Sequence, residues 1–551
     1  MLSLSIVFFI SLIFYGYAYI FKNVFLKIKS PTEKYDYIYG ILLLIFISTL
    51  LNFFIKISLI SEFIILIGLC FFLYGYIKHQ IKIDLLKLLF LNFFFVFISF
   101  DNSPIGDTNF YHLQTIKWIS EYKISFGLVN IEDRLAYSTL WPNLLSIINI
   151  KLFNHNIYYL INLSVFSIFF LNIISIKRIN SLGDLLIIFS GFFVLCFSLI
   201  HPDKNGIMLN YLGSVEYDSI IFLLFITVIS LFLSLNKNEK IALEKYILIS
   251  SVSLLIFFTK ITYISIVFIF LFLMIVEKKL LKDFKFYYLF CSIFCALFLI
   301  KNFFISSCLI FPIEYVCLNS EWAQSKDTLN SFIMMAKAFP RGLGNQNVEN
   351  YFEYTLGTFQ WFKPWFYEYF LKTSVIQLLL PFIFLSFIML FDNKILKRLI
   401  EKQILIVIII IFLQLILFFQ APAIRYSIGT LLIFSILIPV IFIDNQVKIK
   451  RLIEKNFQIF LFLIFFLIII KNIFILDKPS FMKNILSKDL VIKIANNNES
   501  NFILKENQNG LKIYQSLDGN CYDLKELCVN FENKNFKSSN KNGYLFFSQK
   551  Q

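Results

Sequence analysis

Charged side chains are scarce in this 551-residue sequence. Only 15% of its residues are Asp, Glu, Lys or Arg, whereas 58% are hydrophobic and 19% are aromatic. A soluble domain carries about 25% charged residues, so this composition excludes an ordinary soluble protein. The mean hydropathy of +0.76 leads to the same conclusion. We therefore predict an all-α integral membrane protein.

Several motifs are also lacking. The chain has no Walker motif, GxGxxG or HExxH and no internal repeat, which argues against ATPase, dinucleotide-enzyme and metalloprotease functions. The first apolar run, Met1 to Phe21, lacks the basic n-region and small-residue cleavage site of a secretory signal, so we expect it to stay as a spanning helix. The formal net charge of +15 arises from short basic clusters between apolar runs, which is typical of cytoplasmic loops beside anionic lipids. We therefore expect membrane lipids as partners and no nucleic acid.

What the chain does contain is a series of apolar runs long enough to cross about 30 Å of hydrocarbon. They lie near 3–21, 36–55, 58–77, 84–100, 157–176, 184–200, 218–235, 286–303, 373–391, 404–420, 426–443 and 457–475. A longer run, 246–276, is interrupted by Lys260, and a charge in the middle of one helix would cost about 3 kcal/mol. We read this run as two shorter helices turning at Lys260. The prediction is then about fourteen transmembrane helices.

Lys and Arg collect in alternate connections, which the positive-inside rule places in the cytoplasm. Both termini are then extracytoplasmic, and we place the chain in a bacterial inner membrane as a multi-pass protein. The predicted parts are N-terminal helices in 1–100, a core in 101–475 and an extracytoplasmic tail in 476–551. The outer loops are 101–156, 201–217, 304–372 and 420–425.

Short elements are expected in the outer regions. Phe110 to Tyr122 has the apolar spacing of an amphipathic helix lying on the membrane. In the tail, Leu511 to Tyr514 and Tyr544 to Phe547 are rich in β-forming residues and predict a small β element.

The first outer loop carries the strongest candidates for chemistry. Asp107 is preceded by Asp101 and stands just ahead of the amphipathic segment. A capping Asp there would accept backbone N–H groups and do no chemistry. A carboxylate beside aromatic residues also suits general-base work or cation coordination. Its neighbours able to bind a sugar or phosphate are Tyr111, His112, Gln114, Lys117, Trp118, Arg134 and Trp141.

Other charged residues fall in or beside the outer loops. Glu216 and Asp218 begin a spanning helix, where the helix dipole alone would explain them, or they act with Asp107. Lys260, Arg341 and Arg425 either reach lipid headgroups or bind phosphate, for which the planar fork of arginine is suited. Arg425 is the best phosphate ligand of the three.

A metal site built from Asp107 and His112, with His201 as a further ligand, has no spacing signature. Of the eight cysteines, the pairs Cys308/Cys317 and Cys521/Cys528 fall in polar segments. Each pair is either a disulfide, if the segment faces an oxidising compartment, or two free thiols.

The order of residues in this loop resembles that in a poorly characterised bacterial branch of the GT-C superfamily of polytopic glycosyltransferases. The resemblance consists of short motifs spread over 101–528. They are Asp107, Tyr111, His112, Ile116, Trp118, Gly127, Leu128, Asn130, Arg134 and Trp141, then Cys308 to Pro312, Pro422 with Arg425 and Tyr426, and Cys521 with Cys528. One departure is that GT-C members typically carry this loop after the first span, whereas here it follows the fourth.

The resemblance implies sugar transfer from a polyprenyl-phosphate-linked donor to a glycan, lipid or protein acceptor of the cell envelope, on the extracytoplasmic face. Asp107 would be the base or the anchor of a divalent cation, Mg²⁺ or Mn²⁺, with His112 beside it. Arg425, with Arg341 or Lys260, would stabilise the departing phosphate. The other expected substrate-binding residues are Tyr111, His112, Trp118, Arg134 and Asp218.

Two alternatives stay open. A polymerase or ligase of surface polysaccharide would also have large outer loops, but would use a polyprenyl-diphosphate glycan. A transporter or lipid flippase would make no bonds, and would show paired ionisable groups near the bilayer midplane and paired broken helices.

Overall fold

The computed structural model describes residues 2–28, 30–99, 107–149, 151–152, 155–200, 212–235, 239–276, 284–343, 352–357, 359–474, 502–508, 511–517, 521, 527–529 and 536–549. These residues are mostly helical. The α-helices are Leu2–Ile20, Tyr37–Asn52, Ser61–Ile77, Leu85–Ile98, Leu113–Glu121, Trp141–Ile148, Ile161–Ile174, Leu182–Ile200, Asp218–Leu233, Glu239–Thr259, Val267–Val276, Lys285–Ser306, Lys326–Arg341, Phe362–Pro364, Ser374–Met389, Asn393–Leu399, Lys402–Gln420, Ile428–Asn445 and Val447–Phe474.

Shorter helical segments connect them. The 3₁₀ segments are Ile57–Leu59, Leu128–Asn130, Asp133–Ala136, Tyr158–Leu160, Ile261–Ile266, Glu314–Val316 and Ile424–Tyr426. The π-helical segments are Phe21–Leu26, Thr108–His112, Glu353–Gly357 and Trp365–Phe370.

Each predicted apolar run contains a helix, and the predicted break at Lys260 is confirmed. The helix Glu239–Thr259 ends there, Lys260 is extended with φ −152° and ψ 105°, and the 3₁₀ segment Ile261–Ile266 follows. Within the described residues, six helices are long and apolar enough to cross a membrane, or seven if one bent pair counts as a single span. These helices suggest membrane insertion. The number fourteen stays a prediction.

The β-strands other than the two-residue strands β1 (Lys151–Leu152) and β2 (His155–Asn156) lie near the carboxyl terminus. They are β3 (Phe502–Gln508), β4 (Leu511–Ser516), β5 (Leu527–Val529), β6 (Phe536–Lys541) and β7 (Tyr544–Gln549). β4 pairs antiparallel with β3 and parallel with β5, while β6 and β7 form a separate antiparallel hairpin. The two predicted strand segments lie within β4 and β7.

Buried side chains form two large clusters with the predicted amphipathic helix between them. Leu113, Ile116 and Ile119 of the helix Leu113–Glu121 pack into the cluster of the long helices. Trp118, on another face, packs into a second cluster with Phe547 of β7. The helix was predicted, but the prediction that it lies on the membrane surface was wrong: it is enclosed between the helical bundle and the C-terminal strands.

Candidate functional site

Charged side chains from four separate segments meet at one place. The carboxylate of Asp107 lies 2.6 Å from Arg425 Nη2, and Arg425 Nε lies 3.9 Å from Asp218 Oδ2. Lys260 Nζ forms an ion pair with Asp218 Oδ1. We call Asp107, Glu216, Asp218, Lys260 and Arg425 the charged cluster.

Asp107 does not act as a helix cap. It immediately precedes the π-helical segment Thr108–His112, yet its side chain makes no capping hydrogen bond with any described residue. Its carboxylate pairs with Arg425 instead. A capping Asp would direct its oxygens to the first backbone N–H groups of the helix. The capping role that the sequence position of Asp107 suggested is therefore wrong.

Lys260 owes its position to the helix break. Its backbone N–H still donates to Ile256 O at 2.8 Å, but its own backbone is extended, so its side chain leaves the helix direction. The ammonium reaches Asp218, the first residue of the helix Asp218–Leu233, and lies 4.2 Å from the ring centroid of Tyr426. A mostly buried cation is tolerated only with such a partner, and the aromatic face adds attraction.

Glu216 is the third acid of the cluster and is only 2% exposed. Thr108 Oγ1 donates to its carboxyl group at 3.4 Å. Burial, together with the negative charges of Asp107 and Asp218, raises the pKa of Glu216 to about 8. At pH 7 Glu216 is therefore mostly protonated, and two carboxylates balance two cations in the rest of the cluster.

His112 is also buried, and its burial lowers its pKa to about 4. The ring centroid of His112 lies 4.2 Å from that of Tyr111 and 5.3 Å from that of Tyr217. His112 is therefore neutral at pH 7 and adds no charge to the site.

The donor set does not fit a resident divalent cation. In the described part of the chain, no group of three or more His, Cys, Asp or Glu residues converges as metal ligands would. Asp107 and Asp218 are already paired with Arg425 and Lys260, so a metal ion at these carboxylates would have to replace both cations. We assign no step to Mg²⁺ or Mn²⁺.

A buried hydrogen-bond chain holds the segment of Glu216 in place. Trp141 Nε1 donates to Asn162 Oδ1 at 3.2 Å, and Asn162 Nδ2 donates to the backbone oxygens of Ser214 at 2.9 Å and Glu216 at 2.6 Å. Nearby, Thr139 Oγ1 donates to Thr259 O at 2.8 Å, next to Lys260. The tryptophan of the loop motif therefore positions the site rather than lining it.

Three predicted ligands contact other groups. Trp118 is 3% exposed, with its ring 5.6 Å from that of Phe547. Arg134 pairs with Glu132 at 2.9 Å and stacks 5.2 Å from the ring of Tyr111. Arg341 donates to Thr355 O and lies over Trp361, and within the described residues it forms no ion pair with the charged cluster. Asp101 and His201 lie outside the described residues.

Both predicted cysteine pairs are disulfide-bonded, Cys308 with Cys317 and Cys521 with Cys528. The second disulfide lies directly against the segment that follows Asp107. Cys521 N donates to Asn109 O at 3.0 Å, and Cys528 N donates to Gln114 Oε1 at 3.1 Å.

Three partly buried tyrosines of the site, Tyr137, Tyr217 and Tyr426, were not predicted as site residues from the sequence. Tyr426 OH accepts a hydrogen bond from Arg425 Nη2 at 3.3 Å. Burial raises the pKa of Tyr137 and Tyr217 above the usual value, so these two phenols remain neutral donors and acceptors. Tyr426 stands in the motif with Pro422 and Arg425, whereas nothing in the spacing of Tyr137 and Tyr217 distinguishes them from packing residues among the 28 tyrosines of the chain.

Comparison with known proteins gives a family but no activity. A family model described as "Domain of unknown function (DUF8201)" matches residues 1–432. The match contains all five residues of the charged cluster and ends before the C-terminal strands. No curated protein and no solved structure matches the chain.

Proposed function

Because the chain belongs to this family of unknown function, its activity has to be inferred from the charged cluster, and we propose that it is a GT-C-type membrane glycosyltransferase. It would move a sugar from a polyprenyl-phosphate-linked donor to a glycan, lipid or protein acceptor of the cell envelope. The observation that carries the proposal is the pairing of Asp107 with Arg425 beside the Asp218–Lys260 pair.

The charge balance explains how substrate would activate the site. With Glu216 protonated, the cluster has no surplus positive charge, so an entering phosphodiester competes with Asp107 for the guanidinium of Arg425. Arginine binds phosphate oxygens through two parallel N–H donors. Once Arg425 turns to the phosphate, the Asp107 carboxylate becomes available as a base.

The reaction then consists of one proton transfer, the formation of one glycosidic bond and the cleavage of the bond between the sugar and the phosphate. Asp107 accepts the proton of the acceptor hydroxyl while the oxygen of that hydroxyl attacks the anomeric carbon of the donor sugar. The bond between that carbon and the phosphate oxygen breaks, and the electron pair leaves with the polyprenyl phosphate. Arg425 and Lys260 stabilise the additional negative charge of this leaving group.

The finer membrane assignment belongs to the same proposal. The chain would cross a bacterial inner membrane about fourteen times, with both termini and the charged cluster on the extracytoplasmic side. The distribution of Lys and Arg between the apolar runs supports this orientation.

The proposal is tested with purified full-length protein and a polyprenyl-phosphate-linked sugar. Asp107→Asn should lower the rate of sugar transfer by at least about 100-fold, the usual range for losing a general base. Arg425→Lys should raise KM for the donor, because lysine keeps the charge but lacks the planar fork. Asp327→Asn, at an exposed acid in 304–372, is the matched control and should be unaffected.

Gel filtration and circular dichroism would establish that each variant is folded. A folded Asp107→Asn protein with wild-type transfer rates would refute the assignment of Asp107. Transfer from a polyprenyl-diphosphate oligosaccharide, with none from the monophosphate, would identify a polymerase or ligase instead.

One observation favours a transporter or flippase as the second candidate. The Asp218–Lys260 pair stands at a helix break, and Phe362–Phe370 meets Ser374–Met389 at an angle of 95°. Broken helices with paired charges are typical of transporters. In liposomes, a flippase would move the lipid-linked sugar between leaflets without any acceptor, and Asp107→Asn would stop this movement rather than bond formation.

A further inference from the structure

A basic cavity of about 430 Å³ lies away from the charged cluster, beyond the carboxyl end of the helix Ile161–Ile174. Lys34, Lys177, Arg178 and Asp184 line it. The Oδ2 atom of Asp184 accepts hydrogen bonds from the backbone N–H groups of Asn180 and Ser181 and from the hydroxyl of Ser181, which holds the carboxylate in the cavity wall without removing its charge. With three cations and one carboxylate in its lining, the cavity has a formal net charge of about +2.

These cations have few partners of their own. Lys177 and Arg178 are exposed, and neither forms an ion pair with a described residue. Lys34 Nζ donates to the backbone oxygen of Asn172 at 3.3 Å. Asp184 offsets only one of the three cations, so the cavity keeps a net positive charge that an anionic ligand would neutralise.

An apolar groove of about 330 Å³ adjoins this cavity. Its walls include Leu86, Phe90, Ile174, Leu461, Phe462 and Phe465. Ile174 lines the groove while the next two residues of the chain line the cavity. Gln458, also in the groove wall, donates to the backbone oxygen of Ile176 at 3.3 Å. The cavity and the groove therefore meet at residues 174–176.

We propose that this composite site binds an anionic membrane phospholipid. Its phosphate would lie in the cavity against Lys34, Lys177 and Arg178, and one acyl chain would follow the groove past Phe90 and Phe462. A soluble anion would leave the groove unfilled, and a zwitterionic headgroup, which has no net charge, would leave the net positive charge of the cavity unbalanced. Only a lipid with net negative charge satisfies both parts of the site.

The site is distinct from the proposed catalytic centre. Asn162, near the start of the helix Ile161–Ile174, contacts Glu216 of the charged cluster, whereas the cavity lies beyond the other end. A helix of this length spans about 20 Å. The lipid would therefore bind at the opposite end of this helix, and the inference does not depend on the proposed sugar transfer.

Titration of the full-length protein in neutral detergent with fluorescent phosphatidylglycerol tests the proposal. Wild type should bind it more tightly than phosphatidylcholine. The double variant Lys177→Gln/Arg178→Gln should weaken phosphatidylglycerol binding by about 10- to 30-fold, since each basic residue contributes roughly a factor of five at a membrane surface. Phe462→Gln, at an exposed groove residue, should weaken it without changing the charge of the cavity.

The matched control is Lys448→Gln/Arg451→Gln. It removes the same charge from exposed positions of the helix Val447–Phe474 that do not line the cavity, and binding should change less than twofold. Equal loss in both double variants would show non-specific attraction and overturn the proposal. Full displacement of the lipid by glycerol 3-phosphate at a similar concentration would assign the cavity to a soluble anion, which also overturns it.

Discussion

The protonation state of Glu216 depends directly on its burial and on the neighbouring charges of the cluster. Its raised pKa means that the folded protein holds a proton which the unfolded chain has already released above its ordinary pKa of 4.5. The folded state therefore binds more protons than the unfolded state between pH 4.5 and about 8. By linkage, the contribution of Glu216 to stability decreases as the pH rises through this interval.

We predict that infrared spectra of the protein show a protonated carboxyl group at pH 6.5 whose band falls to about half near pH 8 and is lost at higher pH. The signal should be absent from Glu216→Gln, which lacks the carboxyl group at this position. The stability of this variant relative to wild type should increase between pH 6 and pH 9. Glu121→Gln, at an exposed acid of the first loop, is the control and should retain the signal. A band that persists in Glu216→Gln would assign the proton to another acid.

The residues of the charged cluster could be identified from the sequence, but the contacts between them could not. Asp107, Asp218, Lys260 and Arg425 were each identified as polar residues where an apolar run ends, because charge in such places needs an explanation. Their pairing could not be predicted, because it depends on how distant helices pack. The burial that raises the pKa of Glu216 is likewise a property of the packed site and not of its neighbours in the chain.

At the scale of elements, the C-terminal strands hold the first loop. Phe126 N donates to Leu545 O at 2.8 Å and Phe547 N donates to Phe126 O at 2.9 Å. Gly127 has φ +71°, and a Cβ atom at this position would collide with the backbone oxygen of Phe547. The strand prediction could be made from composition, but nothing in the sequence indicated which loop the strands would pack against.

We predict that Gly127→Ala loosens β7 from the first loop. The positive φ alone costs about 1 kcal/mol for a residue with a side chain, and the collision with Phe547 adds to this. The matched control is Gly543→Ala, because Gly543 has φ +79° but its nearest neighbour would be 3.8 Å away, at the flexible end of Lys123.

The measurement is the rate at which a protease releases the C-terminal strands from the folded protein. Gly127→Ala should be cleaved several times faster than Gly543→Ala. Equal rates would mean that the close approach of Phe547 to Gly127 does not determine how firmly the strands are held.

At the scale of the whole molecule, the distribution of charge predicts which side of the membrane each connection occupies. Basic residues in alternate connections place the helix Asn393–Leu399 on the cytoplasmic side and the helix Lys326–Arg341 on the other. The structure ties the second region to the first loop, because Asn130 Nδ2 donates to Trp322 O at 2.9 Å. The side occupied by residues near 326 is therefore also the side of the loop that carries Asp107.

Cysteine labelling in intact cells tests this orientation. Lys326→Cys and Lys397→Cys replace exposed lysines of the two helices, so the pair differs in location and not in chemistry. A membrane-impermeant maleimide should label Lys326→Cys in intact cells, and Lys397→Cys only after permeabilisation. The unsubstituted protein reports any reaction of the free cysteines Cys70, Cys196, Cys291 and Cys295. The reverse pattern would place Asp107 and Arg425 in the cytoplasm, where an extracytoplasmic sugar transfer through them is excluded.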